Sequence, residues 1–371
     1  MRLQLSRRRA WSVVALACTT TLVGLAHAED RVTVRGAYYR EASTRVIQPV
    51  VEVSKDLPGG VDLTATYLLD AITSASVAAG VVGDATFTEL RNDVGLAVGW
   101  NRPRGRLSLG YRYSAESDFW SHSVGFSEQF RLWEDAATLA VNFGLSFDGA
   151  WPRIARTPDC ETNAQLICRS ISRFFSVGYS LVINRQLLAQ VTGETTYMTG
   201  YLASLYRAVP NHGFENLPTE RLRLVASPRV AYYVIPSRTS LQLQYRFYHD
   251  DWGLNAHMVE GVVHQELGQG FEVRLSYRFY TQTPADFWCD WMARPECYGQ
   301  AARIYTGEPQ LQHVATSMPE VKVIWDAFLL RGVPFFGWFS EGTFAVSYAR
   351  FIQNTNFGNA HLLQMGYTLP Y

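Results

Sequence analysis

The stretch ATLAVNFGLSFDG, residues 137–149, alternates apolar side chains with polar or small ones. The apolar set is Leu139, Val141, Phe143, Leu145 and Phe147, and the other set is Thr138, Asn142, Gly144, Ser146 and Asp148. A period of two places the two sets on opposite faces of a β-strand. Alternation over about ten residues is typical of a transmembrane barrel strand, with its apolar face toward lipid and its polar face toward the lumen.

The same alternation recurs along the chain, for example in VDLTATYLLD (61–70), RLSLGYRYSAE (106–116) and FEVRLSYRFYTQ (271–282). It predicts sixteen strands, at 31–41, 44–56, 60–71, 87–100, 105–116, 121–131, 136–148, 171–183, 186–198, 220–234, 239–250, 254–267, 270–282, 313–328, 340–352 and 360–371. An even number lets a barrel close with both termini on one side of the membrane.

The connections between the predicted strands are of two alternating kinds. Tight turns rich in Gly, Pro, Asp and Asn occur at 57–60, 101–105, 133–136, 184–185, 236–238 and 268–270. Longer or more polar connections occur at 71–86, 116–121, 149–170, 199–219, 250–254 and 283–312. Bacterial outer-membrane barrels have short periplasmic turns and longer outer loops.

The predicted fold is therefore an all-β, up-and-down antiparallel transmembrane barrel of about sixteen strands. A large soluble β-sandwich is the alternative. It requires turns of similar length at both ends and two sheets that share an inner face.

The first 28 residues predict export. Arg2, Arg7, Arg8 and Arg9 precede an apolar run that extends from Ala10 to Leu25 and ends in an A-x-A site at 26–28. This pattern is typical of a cleaved secretory signal peptide, which leaves a mature barrel domain of 29–371. A twin-arginine signal in SRRRAW and a lipoprotein site at Cys18 are the alternatives.

The charge balance does not favour nucleic-acid binding. Lys and Arg together number 33, as do Asp and Glu. Removal of the four arginines of the predicted signal leaves 29 basic against 33 acidic residues. Nucleic-acid-binding domains are usually strongly basic, so we expect no nucleic-acid partner.

Four cysteines remain after the predicted cleavage: Cys160, Cys168, Cys289 and Cys297. They form two equally spaced pairs in two long connections of an exported chain, which favours two local disulfides. Cross-pairing and free thiols are the alternatives. A zinc site is less favoured because neither pair has C-x-x-C spacing and no histidine lies close by in sequence.

The last predicted strand ends in HLLQMGYTLPY (361–371). Its alternate apolar positions are Leu363, Met365, Tyr367, Leu369 and Tyr371. An aromatic residue at the end of such a strand resembles the C-terminal signal that the barrel-assembly machinery recognises. An ordinary last strand that happens to end in Tyr is the alternative.

Four further motifs occur in order along the chain: YSAESDFWS (113–121), TGYLASLYRAVPN (199–211), YRFYHDDWGLNAH (245–257) and YRFYTQTPADFW (277–288). Together they resemble the bacterial family known as domain of unknown function 3570. The resemblance covers most of the predicted mature chain. It implies an outer-membrane β-barrel fold and location, and it carries over no biochemical activity.

Three arginines are predicted to line the outer mouth of the lumen. Arg112, Arg246 and Arg278 each lie between two aromatic residues that fall on the lipid face, so the arginines point inward. Carboxylates follow at Glu116, Asp118, Asp148, Asp250 and Asp251. Opposed charges of this kind can form a constriction that selects solutes. Salt bridges that only brace the wall are the alternative.

The motif HDDWG (249–253) is the best candidate for catalysis or calcium binding, because carboxylates lie beside an imidazole. Asp, Asp and Gly are also the residues that a short strand connection prefers. No nucleophile motif, phosphate loop or haem-attachment motif occurs in the sequence, so we expect no cofactor and no metal.

A sixteen-stranded barrel is wide enough for water, so the sequence predicts a passive or weakly selective channel for small hydrophilic solutes. We expect the protein not to be an enzyme. The expected partners are outer-membrane lipid, the barrel-assembly machinery and these solutes. A plugged barrel whose outer loops bind a partner is the first alternative. A hydrolase at the rim is the second.

Overall fold

The computed structural model describes residues 30–371 except 43, 76–85, 152–160, 164, 204–207, 210–212, 291–293, 295–296, 298–302, 334–336 and 356–357. The predicted signal peptide, 1–28, lies outside the described residues.

Sixteen long strands of the described chain form one antiparallel sheet. In chain order they are β1 (Arg31–Arg40), β2 (Thr44–Leu57), β3 (Val61–Ala75), β4 (Thr86–Arg102), β5 (Gly105–Ala115), β6 (Phe119–Leu132), β7 (Ala137–Ala150), β8 (Gln165–Val182), β9 (Leu187–Gly200), β10 (Glu220–Val234), β11 (Thr239–Asp250), β12 (Asn255–Gly268), β13 (Phe271–Gln282), β14 (Val314–Asp326), β15 (Thr343–Gln353) and β16 (Ala360–Pro370).

The sheet closes on itself. Each strand pairs with its neighbours in the chain, and β1 pairs with both β2 and β16. At the closing seam Val34 lies opposite Tyr367 of β16 and opposite Val51 of β2. Closure removes the unpaired edges that an open sheet exposes. The predicted sixteen-stranded up-and-down barrel is confirmed.

The connections define two rims. Tight turns join β2 to β3, β4 to β5, β6 to β7, β8 to β9, β10 to β11 and β12 to β13, and we call that end the short-turn rim. Both ends of the described chain lie there. The connection from β14 to β15 also lies there and is longer, with two short 3₁₀ helices, Ala327–Leu330 and Gly337–Phe339. The other end is the long-loop rim.

Shorter elements of the described chain lie beyond the barrel at the long-loop rim. A strand at Glu161–Asn163 pairs with the beginning of β8. A two-residue ladder joins Ala208–Val209 to Gly213–Phe214. No helix in the described ranges is both long and apolar enough to cross a membrane.

The outer face of the barrel is apolar. Side chains such as Leu96 and Leu243 point away from the lumen and are 59% and 60% exposed. Their strand neighbours at alternate positions are polar or small and point inward, as the pleat requires. An apolar surface of this extent on a closed barrel is the surface that a bilayer covers.

A belt of tyrosines lies on the outer face toward the long-loop rim. The hydroxyl groups of Tyr111, Tyr245 and Tyr348 lie 2.7, 2.6 and 2.7 Å from Nδ1 of a histidine at the top of the next strand. These histidines are His122, His257 and His361. Tyrosine combines an apolar ring with a polar tip, so the belt marks the boundary between lipid tails and headgroups.

Candidate functional site

The three arginines predicted to line the lumen all lie on the inner face of the wall, and each forms an ion pair with a carboxylate of another strand. Arg112 of β5 pairs with Asp93 of β4. Arg246 of β11 forms two hydrogen bonds to Glu194 of β9, at 2.8 and 3.1 Å, and therefore reaches across β10. Arg278 of β13 pairs with Glu260 of β12 at 3.0 Å.

The arginines and the carboxylates lie at different depths in the wall. The three arginine side chains keep between 27% and 36% of their accessible surface, whereas the three carboxylates keep 6% to 7%. Each carboxylate is therefore buried against the strands, and the guanidinium group lies over it on the lumen side. The accessible polar groups at these positions are N–H donors.

A fourth pair repeats this layering nearer the short-turn rim. Arg106 of β5 reaches across β4 to Asp62 of β3, and the two are 2.7 Å apart. The pair lies over Gly99 of β4. A Cβ atom added at Gly99 would overlap both the guanidinium and the carboxylate, so only glycine leaves space for the pair. A fifth pair, Arg91 with Asp70 at 3.2 Å, is buried.

The sequence did not single out Asp93, Glu194 and Glu260. Their inward direction follows from alternation, because each lies next to an outward residue in its strand. Their partners do not follow from alternation, since pairing across strands depends on register and on which strands are neighbours.

The carboxylates that the sequence did single out have other partners. Asp148 accepts hydrogen bonds from Ser146 at 2.9 Å and Ser170 at 3.5 Å. Asp251 is exposed in the turn after β11. One oxygen atom each from Glu116, Asp118 and Glu89 lie within 4.8 Å of one another at the long-loop rim. Whether any of these residues contacts a solute stays a prediction.

Asp250 forms a buried ion pair with Arg221 of β10, and the two side chains are 0% and 2% exposed. The Asp250 carboxylate also accepts a hydrogen bond from the Tyr248 hydroxyl at 2.7 Å. The Arg221 guanidinium carbon lies 4.1 Å from the ring centroid of Trp252. This group of side chains holds the turn of HDDWG against the ends of β10 and β11.

His249 and Asp250 lie on opposite faces of β11. His249 faces outward, where its Nδ1 is 2.9 Å from Oδ1 of Asn255. Asp250 faces inward and accepts hydrogen bonds from the backbone N–H groups of Trp252 and Leu254, as in an Asx turn. The imidazole and this carboxylate therefore do not converge on a common point. Trp252 is 3% exposed and lies within a loop cluster.

This loop cluster covers the lumen side of β11–β13 at the long-loop rim. Its buried members are Ala203, Leu217, Trp252, Leu254, Ala256, Ala285 and Leu311. The inward side chain of Gln282 donates hydrogen bonds to the carbonyls of Gln310 and Gln312, both at 2.7 Å. The segment around residue 311 therefore packs on the inner face of the wall and narrows the mouth.

The predicted disulfide between Cys289 and Cys297 is present in this same loop, with Cα atoms 6.4 Å apart. Cys168 is also disulfide-bonded. Its predicted partner, Cys160, lies outside the described residues.

Three inward cations, Arg229 of β10, Arg274 of β13 and Lys322 of β14, have no carboxylate within 4 Å among the described residues. Arg274 of β13 and Lys322 of β14 are direct cross-strand partners and both face inward. They lie closer to the short-turn rim than Arg278, which is on the same strand as Arg274.

Hydroxyl and amide groups line the wall formed by β6–β8. Ser127 donates to Asn142 at 2.7 Å, and Asn142 donates to Ser176 at 2.9 Å. Ser121 and Ser146 are 3.0 Å apart. Two charged side chains face inward here, Arg131 near the short-turn rim and Asp148 near the long-loop rim, and the inward side chains between them are uncharged.

The five C-terminal residues predicted as an assembly signal all face outward on β16 or just beyond it. Met365 and Tyr371 are exposed, and the Tyr367 hydroxyl donates to the carbonyl of Phe339 at 3.0 Å. The Tyr371 N–H donates to the carbonyl of Asp30 at 2.8 Å, which joins the two ends of the described chain. Recognition by the assembly machinery stays a prediction.

The chain is similar to several solved structures at low sequence identity. OccD3 (OpdP) of Pseudomonas aeruginosa is 10% identical with a TM-score of 0.47, and the match covers 92% of this chain and 91% of that one. A loop deletion mutant of OmpT, an outer membrane protein of Vibrio cholerae, is 8% identical with a TM-score of 0.42, over 91% and 97% of the two chains. A mutant of the ferric enterobactin receptor PfeA of Pseudomonas aeruginosa is 9% identical with a TM-score of 0.45, over 88% of this chain and 53% of that one. The chain thus spans about half the length of that receptor.

No curated protein sequence matches the chain significantly. A family model described as "Protein of unknown function (DUF3570)" matches residues 77–317, which is more than half of the chain. The resemblance inferred from the four sequence motifs is confirmed, and the chain belongs to this family.

Proposed function

We propose that this protein is an outer-membrane channel through which small hydrophilic solutes diffuse passively or with weak selectivity. The layering of the lumen wall carries the proposal. Guanidinium groups that stay accessible over buried carboxylates present hydrogen-bond donors to polar solutes and keep the wall hydrated. A barrel of sixteen strands is wide enough for an aqueous path.

The shape and the surface of the barrel support a place in the bacterial outer membrane. The outer face is apolar and bounded by a tyrosine belt, and short turns alternate with long loops. In barrels of that membrane the short turns are periplasmic, so the long-loop rim would face the outside of the cell. Export through a cleaved signal peptide and folding by the barrel-assembly machinery are parts of the same proposal.

We propose that the protein transports solutes and is not an enzyme. A hydrolase at the rim requires a base and an acid within reach of one substrate atom. His249 and Asp250 face opposite sides of β11, which speaks against that arrangement at HDDWG.

The loop cluster favours a second candidate function. Loops that pack inward and are braced by the Cys289–Cys297 disulfide could fill the lumen and present a rigid surface to a partner outside the cell. Such a protein would carry no current in a bilayer, which distinguishes it from a channel.

Ion selectivity tests the role of the arginines. Replacement of Arg112, Arg246 and Arg278 by Ala would leave Asp93, Glu194 and Glu260 without their cations and make the lumen more negative. A unit charge about 10 Å from the ion path changes an ion's energy by about 0.4 kcal/mol in water, a factor of about 2 in local concentration at low salt. We expect the reversal potential across a salt gradient to shift toward cation selectivity.

Two controls separate lumen charge from other effects. Arg274→Ala with Lys322→Ala removes two lumen cations without stranding a paired carboxylate, and selectivity should shift in the same direction. Arg169→Ala with Arg173→Ala removes two cations from the outer face of β8 and should leave selectivity unchanged. An unaltered reversal potential in both lumen variants, correctly folded, would refute a role for these residues in conduction.

A further inference from the structure

Four basic residues form a continuous row on the outer face at the long-loop rim. Arg350 of β15 lies opposite His361 of β16. His361 lies opposite Arg40 of β1, and Arg40 lies opposite Arg45 of β2. The row therefore crosses four adjacent strands at one level, and we call it the outer basic row.

All four side chains point away from the lumen. Each lies an even number of positions from exposed apolar residues of its own strand, and such residues share one face of the strand. These apolar residues are Tyr348 and Ile352 on β15, Met365 on β16, Val34 on β1 and Ile47 on β2. The four basic residues are themselves exposed. They therefore lie on the face that meets the membrane.

No carboxylate balances the outer basic row on its four strands. These strands contain two acids, Glu52 and Asp56. Glu52 faces the lumen, where it pairs with Arg35 at 3.0 Å, and Asp56 lies at the opposite rim. Within the described residues no ion pair forms at Arg40, Arg45 or Arg350.

On β16, β1 and β2 the row lies one outward position beyond the apolar surface, whereas on β15 Ile352 lies beyond Arg350. The next outward residues toward the barrel centre are Tyr348, Leu363, Tyr38 and Ile47, which are also aligned across the four strands. A lipid whose acyl chains cover these residues would have its headgroup beside the row. Unpaired cations in that position match an anionic headgroup.

The chemistry of the row favours phosphate. Guanidinium groups form bidentate hydrogen bonds to phosphate oxygens. Neighbouring strands are about 4.8 Å apart, so the row spans about 15 Å, which is wide enough for a headgroup with more than one phosphate.

We propose that the outer basic row binds the phosphorylated headgroup of a lipid in the leaflet at the long-loop side. The His361 imidazole, held by the Tyr348 hydroxyl at 2.7 Å, lies between Arg350 and Arg40 and completes the row. The bound lipid would be an annular lipid of fixed position at the seam where the barrel closes.

Native mass spectrometry of the full barrel in detergent tests this proposal with phosphatidic acid and phosphatidylcholine as the two probes. The wild-type protein should retain phosphatidic acid preferentially. Arg45→Gln with Arg350→Gln should weaken that retention by about thirtyfold, since each basic residue near a membrane surface contributes about 1 kcal/mol. Arg45→Lys with Arg350→Lys keeps both charges and should retain most of the preference.

A matched control removes two outward arginines elsewhere at the same rim. Arg169→Gln with Arg173→Gln on β8 should leave the preference for phosphatidic acid unchanged. All three variants replace exposed side chains, and heat-modifiable migration on a gel checks that each barrel is folded. An unchanged preference in the Arg45→Gln, Arg350→Gln variant, or an equal loss in the β8 control, would overturn the proposal.

Discussion

At the scale of single residues, burial decides which charges matter for stability. Asp250 and Arg221 are both almost fully buried, whereas the next residue, Asp251, is exposed. Removal of one partner of a buried ion pair leaves an uncompensated charge, and the penalty is about 3–5 kcal/mol. Neighbouring residues of the same type should therefore respond differently to the same substitution.

We predict that Asp250→Asn destabilises the barrel and loosens the loop cluster, while Asp251→Asn changes the free energy of unfolding by less than about 0.5 kcal/mol. Guanidinium-induced unfolding, followed by tryptophan fluorescence, measures both changes because Trp252 packs on Arg221. Equal unfolding midpoints for the two variants would contradict the assigned role of Asp250.

Gly99 gives a second contrast between residues. Its inner face is occupied by the Arg106–Asp62 pair, whereas no atom lies within 4 Å of a Cβ added at Gly125. We predict that Gly99→Ala lowers the free energy of unfolding by about 1–3 kcal/mol through overpacking, and that Gly125→Ala does not lower it. The same denaturation measurement applies. A Gly99→Ala protein as stable as the wild type would show that the pair does not cross β4 at this point.

At the scale of the elements, the sequence predicts most strands within a few residues, because Gly, Pro, Asp and Asn mark the turns. The largest difference is at β8, which begins at Gln165 and not at 171. The first residues of this strand extend beyond the apolar surface of the barrel, where an outward residue such as Arg169 is polar. The alternation that identifies a strand inside the bilayer therefore disappears.

The connection from β14 to β15 shows a second limit of sequence pattern. It is long for the short-turn rim and contains 3₁₀ helices, yet its apolar residues resemble strand residues. The Phe339 ring packs edge-on against Tyr367 at 5.3 Å. These apolar side chains are used for packing outside the sheet, which alternation along the chain does not reveal.

The disulfides join residues within the long loops that connect the strands. We predict that mass spectrometry of unreduced peptides finds Cys289 joined to Cys297 and Cys160 joined to Cys168. Disulfides between cysteines that are close in sequence form small rings, and they limit the conformations of the long loops in the unfolded chain. Free thiols or a cross-linked pair, such as Cys168 with Cys289, would contradict this pairing.

At the scale of the whole molecule, the sequence predicts the barrel and the inward direction of its charged residues, because both follow from a period of two. The mean hydropathy is −0.07, so total hydrophobicity alone would not identify a membrane protein. The ion pairs of the lumen could not be predicted in the same way. Arg246 and Glu194 are 52 residues apart and on strands that are not neighbours, so their contact depends on closure, register and side-chain reach.

The layered wall also determines what the lumen can do. Asp93, Glu194 and Glu260 are covered, and the guanidinium groups paired with them are accessible. Hydroxyl and amide groups line much of the β6–β8 side. Such a lining favours hydrated solutes and weak discrimination among them. Within the described residues, the loop cluster narrows the mouth over β11–β13.

Conductance of the purified protein in a planar lipid bilayer tests the channel most directly. We predict stepwise increases in current on insertion, with a linear current–voltage relation that reflects a water-filled path. Insertion of folded protein, shown by heat-modifiable migration and β-rich circular dichroism of the same sample, without current above the lipid baseline would contradict it.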